Sequence, residues 1–97
     1  MHIGACRLTL YLPDSHSLKD KRRVTRSITA RIRNKFNVTV AEDAENDLRQ
    51  RLDLLVCAAS NDGSHAIEML AEVADFVEES RPDLQVLDYQ VELISGV

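Results

Sequence analysis

The chain has 97 residues, 44% of them hydrophobic and 29% charged, with a net charge of −4. That length supports one hydrophobic core and no second, so a single domain over residues 1–97 is expected. Three Gly and two Pro exclude linkers and low-complexity repeats. No apolar run reaches the roughly 18 residues a membrane span requires, and the opening stretch, which alternates around Arg7, does not read as a secretory signal.

Residues 3–12 alternate, with Cys6, Leu8, Leu10 and Leu12 on one side and Arg7, Thr9 and Tyr11 on the other, the pattern of a half-buried strand. Pro13-Asp14 stops it. Ser17 and Asp20 are spaced as a capping box, and Leu18, Val24, Ile28, Ile32 and Phe36 mark the apolar stripe of a helix running to about Lys35. Phe36, Val38 and Val40 alternate in a second strand, and Asn46-Asp47 supplies a turn. Residues 49–60 form a third strand whose even side is Leu52, Leu54, Val56 and Ala58. Its odd side is Arg51, Asp53, Leu55, Cys57 and Ala59, so its second half is apolar on both faces, which suits a central position. The segment 60–64 holds several candidate N-caps. Ile67, Leu70, Val73, Ala74 and Val77 define a second amphipathic helix that Pro82 ends. Leu87, Tyr89, Val91 and Leu93 alternate in a fourth strand.

The order β-α-β-β-α-β, with right-handed crossovers, predicts an α+β ferredoxin-like sandwich. Its antiparallel four-stranded sheet has strand order 4-1-3-2, with both helices on one face. Leu8, Leu10, Ile28, Ile32, Val38, Val40, Leu54, Val56, Leu70, Val77, Val91 and Leu93 form the expected core. Cys6 and Cys57 then lie on opposite faces of the sheet, too divergent for a disulfide. Two free thiols and no secretory signal point to the cytoplasm.

Charge is unevenly distributed. Residues 18–36 hold eight of the twelve bases and one acid, a local +7, which leaves −11 for the rest. At 100° per residue, Lys19, Arg22, Arg23, Arg26 and Arg33 share about a third of the first helix's circumference, while Lys21, Arg31 and Lys35 sit on its other shoulder. Two readings stand. In one, the stripe is a solvated face neutralised by Glu68, Glu72, Asp75, Glu78 and Glu79 of the neighbouring second helix. In the other, its guanidinium forks bind successive phosphates of RNA.

The residues also resemble a known family. The alternation into Leu12-Pro13, the block Ser17-Leu18-Lys19-x-Lys21-Arg22, the block from Phe36-Asn37-Val38 to Val40-Ala41-Glu42, and Asp47 with Gln50-Arg51 resemble the YlxP-like family of small bacterial proteins, a domain-of-unknown-function family, over nearly the whole chain. Asp43 stands where that pattern usually has an apolar residue, and Arg49 where it usually has an aromatic. The resemblance implies a ferredoxin-like fold, a bacterial cytosolic setting and, in many bacteria, a genomic neighbourhood of translation factors. It implies no activity or cofactor.

The open sheet face is the second candidate surface. An RNA-recognition module would stack bases on aromatics of the two central strands, and only Tyr11 is available here. Leu55, Cys57 and Ala59 instead form a small apolar patch, read either as a homodimer interface or as an ordinary partly exposed surface, and the second strand, with Asn37 and Thr39, is an edge that offers a separate place for a homodimer to pair. In the hairpin, Glu42, Asp43, Glu45 and Asp47 lack the Gly and Glu spacing of an EF-hand, so Glu–Arg pairing with Arg49 and Arg51 is expected. His65 and Glu68 alone do not make a metal site, and no nucleophile or nucleotide-loop motif occurs. The expectation is therefore a cytoplasmic accessory protein without enzymatic activity, metal, cofactor or identified small-molecule substrate. It would contact RNA or a ribosomal subunit through the basic helix, or alternatively act as a homo-oligomeric interaction module.

Overall fold

The computed structural model describes residues 1–45 and 47–97. The Asn46 half of the expected turn lies outside the described residues. The elements are β1 (His2–Tyr11), α1 (Leu18–Lys35), β2 (Thr39–Glu42), β3 (Arg51–Ser60), α2 (Gly63–Ser80) and β4 (Gln85–Ser95). Ser17 caps α1, its hydroxyl accepting from the Asp20 N–H at 3.0 Å. Asp20 reaches back one residue further than a capping box requires, accepting from the N–H of His16, the residue before the cap, at 3.0 Å. Asp62 caps α2 by accepting from the N–H groups of Ser64 and His65. That helix stops at Arg81, the residue before Pro82.

The strands form one antiparallel sheet in the order β2-β3-β1-β4, which reads 4-1-3-2 from the opposite edge. Even-numbered residues of β1 and β3 face the helices. Cys6, Leu8, Leu10, Leu52, Leu54, Val56 and Ala58 share one buried cluster with Ile28 and Ile32 of α1 and Leu70, Val73 and Val77 of α2. Leu54 is 1% exposed and its neighbour Leu55 is 47% exposed, which fixes the register of the third strand as its pattern implied. At Gly4 the α2 helix comes so close that an added Cβ would lie 2.9 Å from Leu70 Cδ1. The chain ends meet beside the sheet: His2 pairs with Ser95 across β1 and β4, and their side chains hydrogen-bond at 2.8 Å.

Three expected core residues are not buried. Val38 is half-buried because it precedes β2, which begins only at Thr39; Phe36 caps α1 instead and meets Phe76 edge-on at 5.6 Å. Val91 and Leu93 face the helix side, paired with Cys6 and Gly4, yet are exposed because β4 is the sheet's edge, where Leu93 only flanks the start of α2 at Gly63. The alternation in β4 is also broken. Leu8 pairs with Tyr89 and Thr9 with Asp88, but Leu10 pairs with Val86, so Leu87 is a bulge residue turned out of the helix-facing series. The third strand starts at Arg51, two residues later than the pattern implied, because Arg49 and Gln50 belong to the preceding loop.

Candidate functional site

The basic helix is shaped by which of its cations the fold consumes. The buried face of α1 is Lys21, Thr25, Ile28, Thr29 and Ile32, with the two Thr hydroxyls donating back to the carbonyls of Lys21 and Thr25. Lys21 was expected on the solvent shoulder. It is 4% exposed, and its Nζ donates to the Leu48 carbonyl at 3.0 Å. The other two shoulder bases are also engaged: Arg31 donates to the Ser80 carbonyl at 3.3 Å, and Lys35 lies 4.7 Å from the Phe76 ring centre. These contacts place α2 on the Arg31–Lys35 side of α1.

The stripe faces away from that side. Lys19, Arg22, Arg23, Arg26 and Arg33 are all exposed. From Lys19 to Arg33 the stripe runs about 21 Å at the helical rise per residue. Among the described residues, none of the five forms an ion pair with Glu68, Glu72, Asp75, Glu78 or Glu79, which are themselves exposed on α2. Arg33 donates to the Val40 carbonyl at 2.7 Å, which anchors it toward β2. The His16 N–H chiefly, with lesser help from Ser17 and Arg23, holds the Asp20 carboxyl below its usual range. The fold thus gathers the five predicted cations on one surface, and the acidic helix is not their counterion.

At the far end of α2, Arg81 makes a two-pronged pair with Asp83 at 2.9 and 2.8 Å and reaches Ser27 of α1 at 3.4 Å. Arg81 holds the Asp83 carboxyl below its ordinary value. This pair locks the two helices at one end and leaves the stripe untouched.

The open sheet face carries the odd-numbered residues. Thr39 pairs with Cys57 and Ala41 with Leu55, so Thr39, Leu55, Cys57 and Ala59 are brought together as expected. Thr39, Leu55 and Ala59 are exposed and Cys57 is half-buried. The hairpin carboxylates pair differently from the Glu–Arg expectation. Arg7 reaches Asp43 at 2.8 Å, and Arg51 reaches Asp53 at 3.1 Å. Arg51 and Asp53 are two apart on one face of β3, and Asp43, just past the end of β2, meets Arg7 of β1 over the intervening β3. Asp53, on the nominally open face, is 2% exposed and also accepts from the Thr9 hydroxyl at 2.7 Å. Cys6 and Cys57 are both free thiols, and burial pushes the Cys6 thiol up to about 12.

The sequence pattern did not reveal a cleft at the sheet end where β1 exits and β3 enters. Its lining includes Tyr11, His16, Leu48, Arg49, Arg51 and Leu87. The available signal was the adjacent apolar pair Val86-Leu87, which a strict two-residue period does not accommodate.

Among the described residues, no helix is long and apolar enough to cross a membrane and no group of three or more His, Cys, Asp or Glu is placed to hold a metal. Fold and surface together define a class: a small α+β module with a single basic helix face and an open antiparallel sheet. Residues 3–91 match the family model described as "Protein of unknown function (DUF503)", and the chain belongs to that family. It is 34% identical over 83 residues to the protein named "Uncharacterized protein YlxP" of Bacillus subtilis (strain 168), a match covering 86% of this chain and 89% of that protein.

Proposed function

We propose that this ferredoxin-like module acts in the cytoplasm by binding, without catalysis, and that α1 carries a polyanion, RNA or an RNA-containing particle such as a ribosomal subunit. The observation that supports this most is the division of labour among the cations of α1. Lys21 is buried against the Leu48 loop, and the exposed Arg31 and Lys35 lean on α2, while Lys19, Arg22, Arg23, Arg26 and Arg33 are exposed and unpaired with acids of α2, Arg33 giving one of its donors to the Val40 carbonyl. A chain of net charge −4 gains no solubility from such a concentration. Its use is electrostatic: each phosphate neutralised releases counterions, so affinity depends steeply on salt. Five contacts on a single strand correspond to a slope of about −3.5 in log K against log salt, roughly a hundredfold loss between 50 and 200 mM. The test is fluorescence anisotropy with a labelled single-stranded RNA and with ribosomal RNA. Wild type should show that slope, and the Arg22→Glu/Arg26→Glu variant should lose most of its affinity. Binding that ignores both salt and the double variant would overturn this reading.

A second reading is self-association. Leu55 is 47% exposed amid charged neighbours, and the outer edge of β4 exposes Val91, Leu93 and Ile94. An uncovered apolar edge strand is a pairing template. Light scattering at micromolar concentration separates the two candidate interfaces. A dimer dispersed by Leu55→Glu uses the sheet face, one dispersed by Val91→Lys uses the β4 edge, and a wild-type monomer rules out both.

A further inference from the structure

The cleft at the sheet end is an open depression of ligand size. Its volume, about 630 Å³, falls within the range of small-molecule sites. Two large aliphatic side chains, Leu48 and Leu87, stand 59% and 54% exposed on its walls with the half-buried Tyr11. Leu87 is there because the bulge in β4 turns it outward, a device that interrupts the strand ladder in order to re-aim a side chain. Leu48 is there because its loop is pinned. The buried Lys21 ammonium donates to the Leu48 carbonyl at 3.0 Å, the Leu12 N–H donates to the Gln50 carbonyl at 2.8 Å, and Gln50 Nε2 donates to the Pro13 carbonyl at 3.2 Å. Burying an ammonium is costly unless it is well bonded, and here it fixes the wall that carries Leu48 and Arg49.

The polar lining holds two arginines and one carboxylate. The Arg49 guanidinium, the His16 ring and the Tyr11 hydroxyl make no hydrogen bond within the described chain. Arg51 keeps donors beyond those it gives to Asp53. The Asp47 carboxylate stands on the same lining as an acceptor. Apolar walls around an aromatic ring suit a flat heterocycle, the donors that Arg49 and Arg51 leave free on the lining suit a phosphate, and a carboxylate suits an exocyclic amine or a ribose hydroxyl.

We propose that this cleft binds one nucleoside monophosphate unit, with its ring between Leu48 and Leu87 against Tyr11 and its phosphate on Arg49 and Arg51. The unit is either a free mononucleotide or an unpaired nucleotide of an RNA. The site does not depend on α1 carrying a polyanion, since none of its donors belongs to the stripe.

The experiment is a titration followed by NMR of the Leu48 and Leu87 methyls and the Tyr11 ring, with AMP, GMP, CMP, UMP, ribose 5-phosphate, inorganic phosphate and an RNA tetranucleotide as probes. Mononucleotides should shift all three residues together, while ribose 5-phosphate and phosphate should leave the methyls in place. Arg49→Ala, an exposed position without a hydrogen-bond partner among the described residues, should weaken mononucleotide binding about ten- to a hundredfold. Arg22→Glu/Arg26→Glu should leave mononucleotide affinity unchanged, which separates this site from the stripe. A tetranucleotide that binds far more tightly than AMP, and loses that gain in the stripe variant, identifies an RNA nucleotide as the ligand; equal affinities identify the free mononucleotide. No shift of Leu48, Leu87 or Tyr11 at millimolar mononucleotide, or shifts indifferent to Arg49→Ala, would overturn the proposal.

Discussion

The two helices are both 18 residues long and lie in the same layer, yet they solve opposite problems. α2 packs over β1, β3 and β4 with a wholly apolar buried face of Ala66, Leu70, Val73 and Val77. α1 packs toward β2 and α2, and three of its five buried residues are polar. Each of these three is satisfied: the Thr hydroxyls bond back to carbonyls one turn earlier, and Lys21 holds the distant loop at Leu48. α2 is thus a structural cover, while α1 combines a thin anchor with a charged outer surface. Charge in this layer follows from what each helix presents outward rather than from mutual neutralisation.

The largest test of this contrast is in the core. Leu70→Ala and Ile28→Ala should each cost about 2–5 kcal/mol, and Leu70→Ala should cost more because α2 covers three strands. Urea unfolding measures both, and equal costs would remove the distinction between cover and thin anchor. Charge neutralisation comes next. Replacing any one of Lys19, Arg22, Arg23 or Arg26 with Gln should reduce the salt slope of RNA binding by about 0.7. Glu72→Gln and Glu78→Gln should leave it unchanged; a slope that steepens in the Glu variants would show that the acids of α2 do screen the stripe.

Capping effects are smaller. Ser17→Ala should destabilise by about 1 kcal/mol, read by thermal or urea unfolding. The folded Asp20 carboxyl is held below its unfolded value, so its contribution is present above the unfolded pKa and disappears as pH falls through the lower folded one. Asp20→Asn should therefore flatten the acid limb of the stability profile below about pH 4. The smallest effect concerns the macrodipole. α1 ends on Arg33 and Lys35, whereas α2 has no base in its last turn and carries the exposed Glu78 near its C-terminal end. Glu78→Lys should stabilise by about 0.3–1 kcal/mol, and a loss of stability would mean that Glu78 has a partner in solution.

What the sequence revealed follows the same contrast. The Ser17–Asp20 spacing and the four-residue period placed α1 at its observed bounds, and the parity of Leu54 and Leu55 oriented β3 correctly. Both signals are local. The bulge at Leu87 was obscured because Leu87, Tyr89, Val91 and Leu93 keep a period of two and leave Val86 as the one misfit; pairing with β1 locates the slip. The burial of Lys21 was hidden because a lysine on a helix shoulder reads as solvated, and only the returning loop at Leu48 covers it. The five stripe cations were legible as a group. Their independence from α2 was not, since it depends on which side of α1 that helix occupies.

The pairing of His2 with Ser95 also constrains when the protein can finish folding. β1 is the first strand made and one of the two central ones, and its outer partner, β4, is the last. The hydrogen-bonded ends are 93 positions apart, a closure of high contact order that comes late and slowly. Until β4 arrives, β1 presents a bare edge and the face under α2 is incomplete. A permuted chain that joins the present ends and opens at the loop before β3 would make β4 and β1 neighbours in synthesis, so it should fold faster while keeping the same sheet.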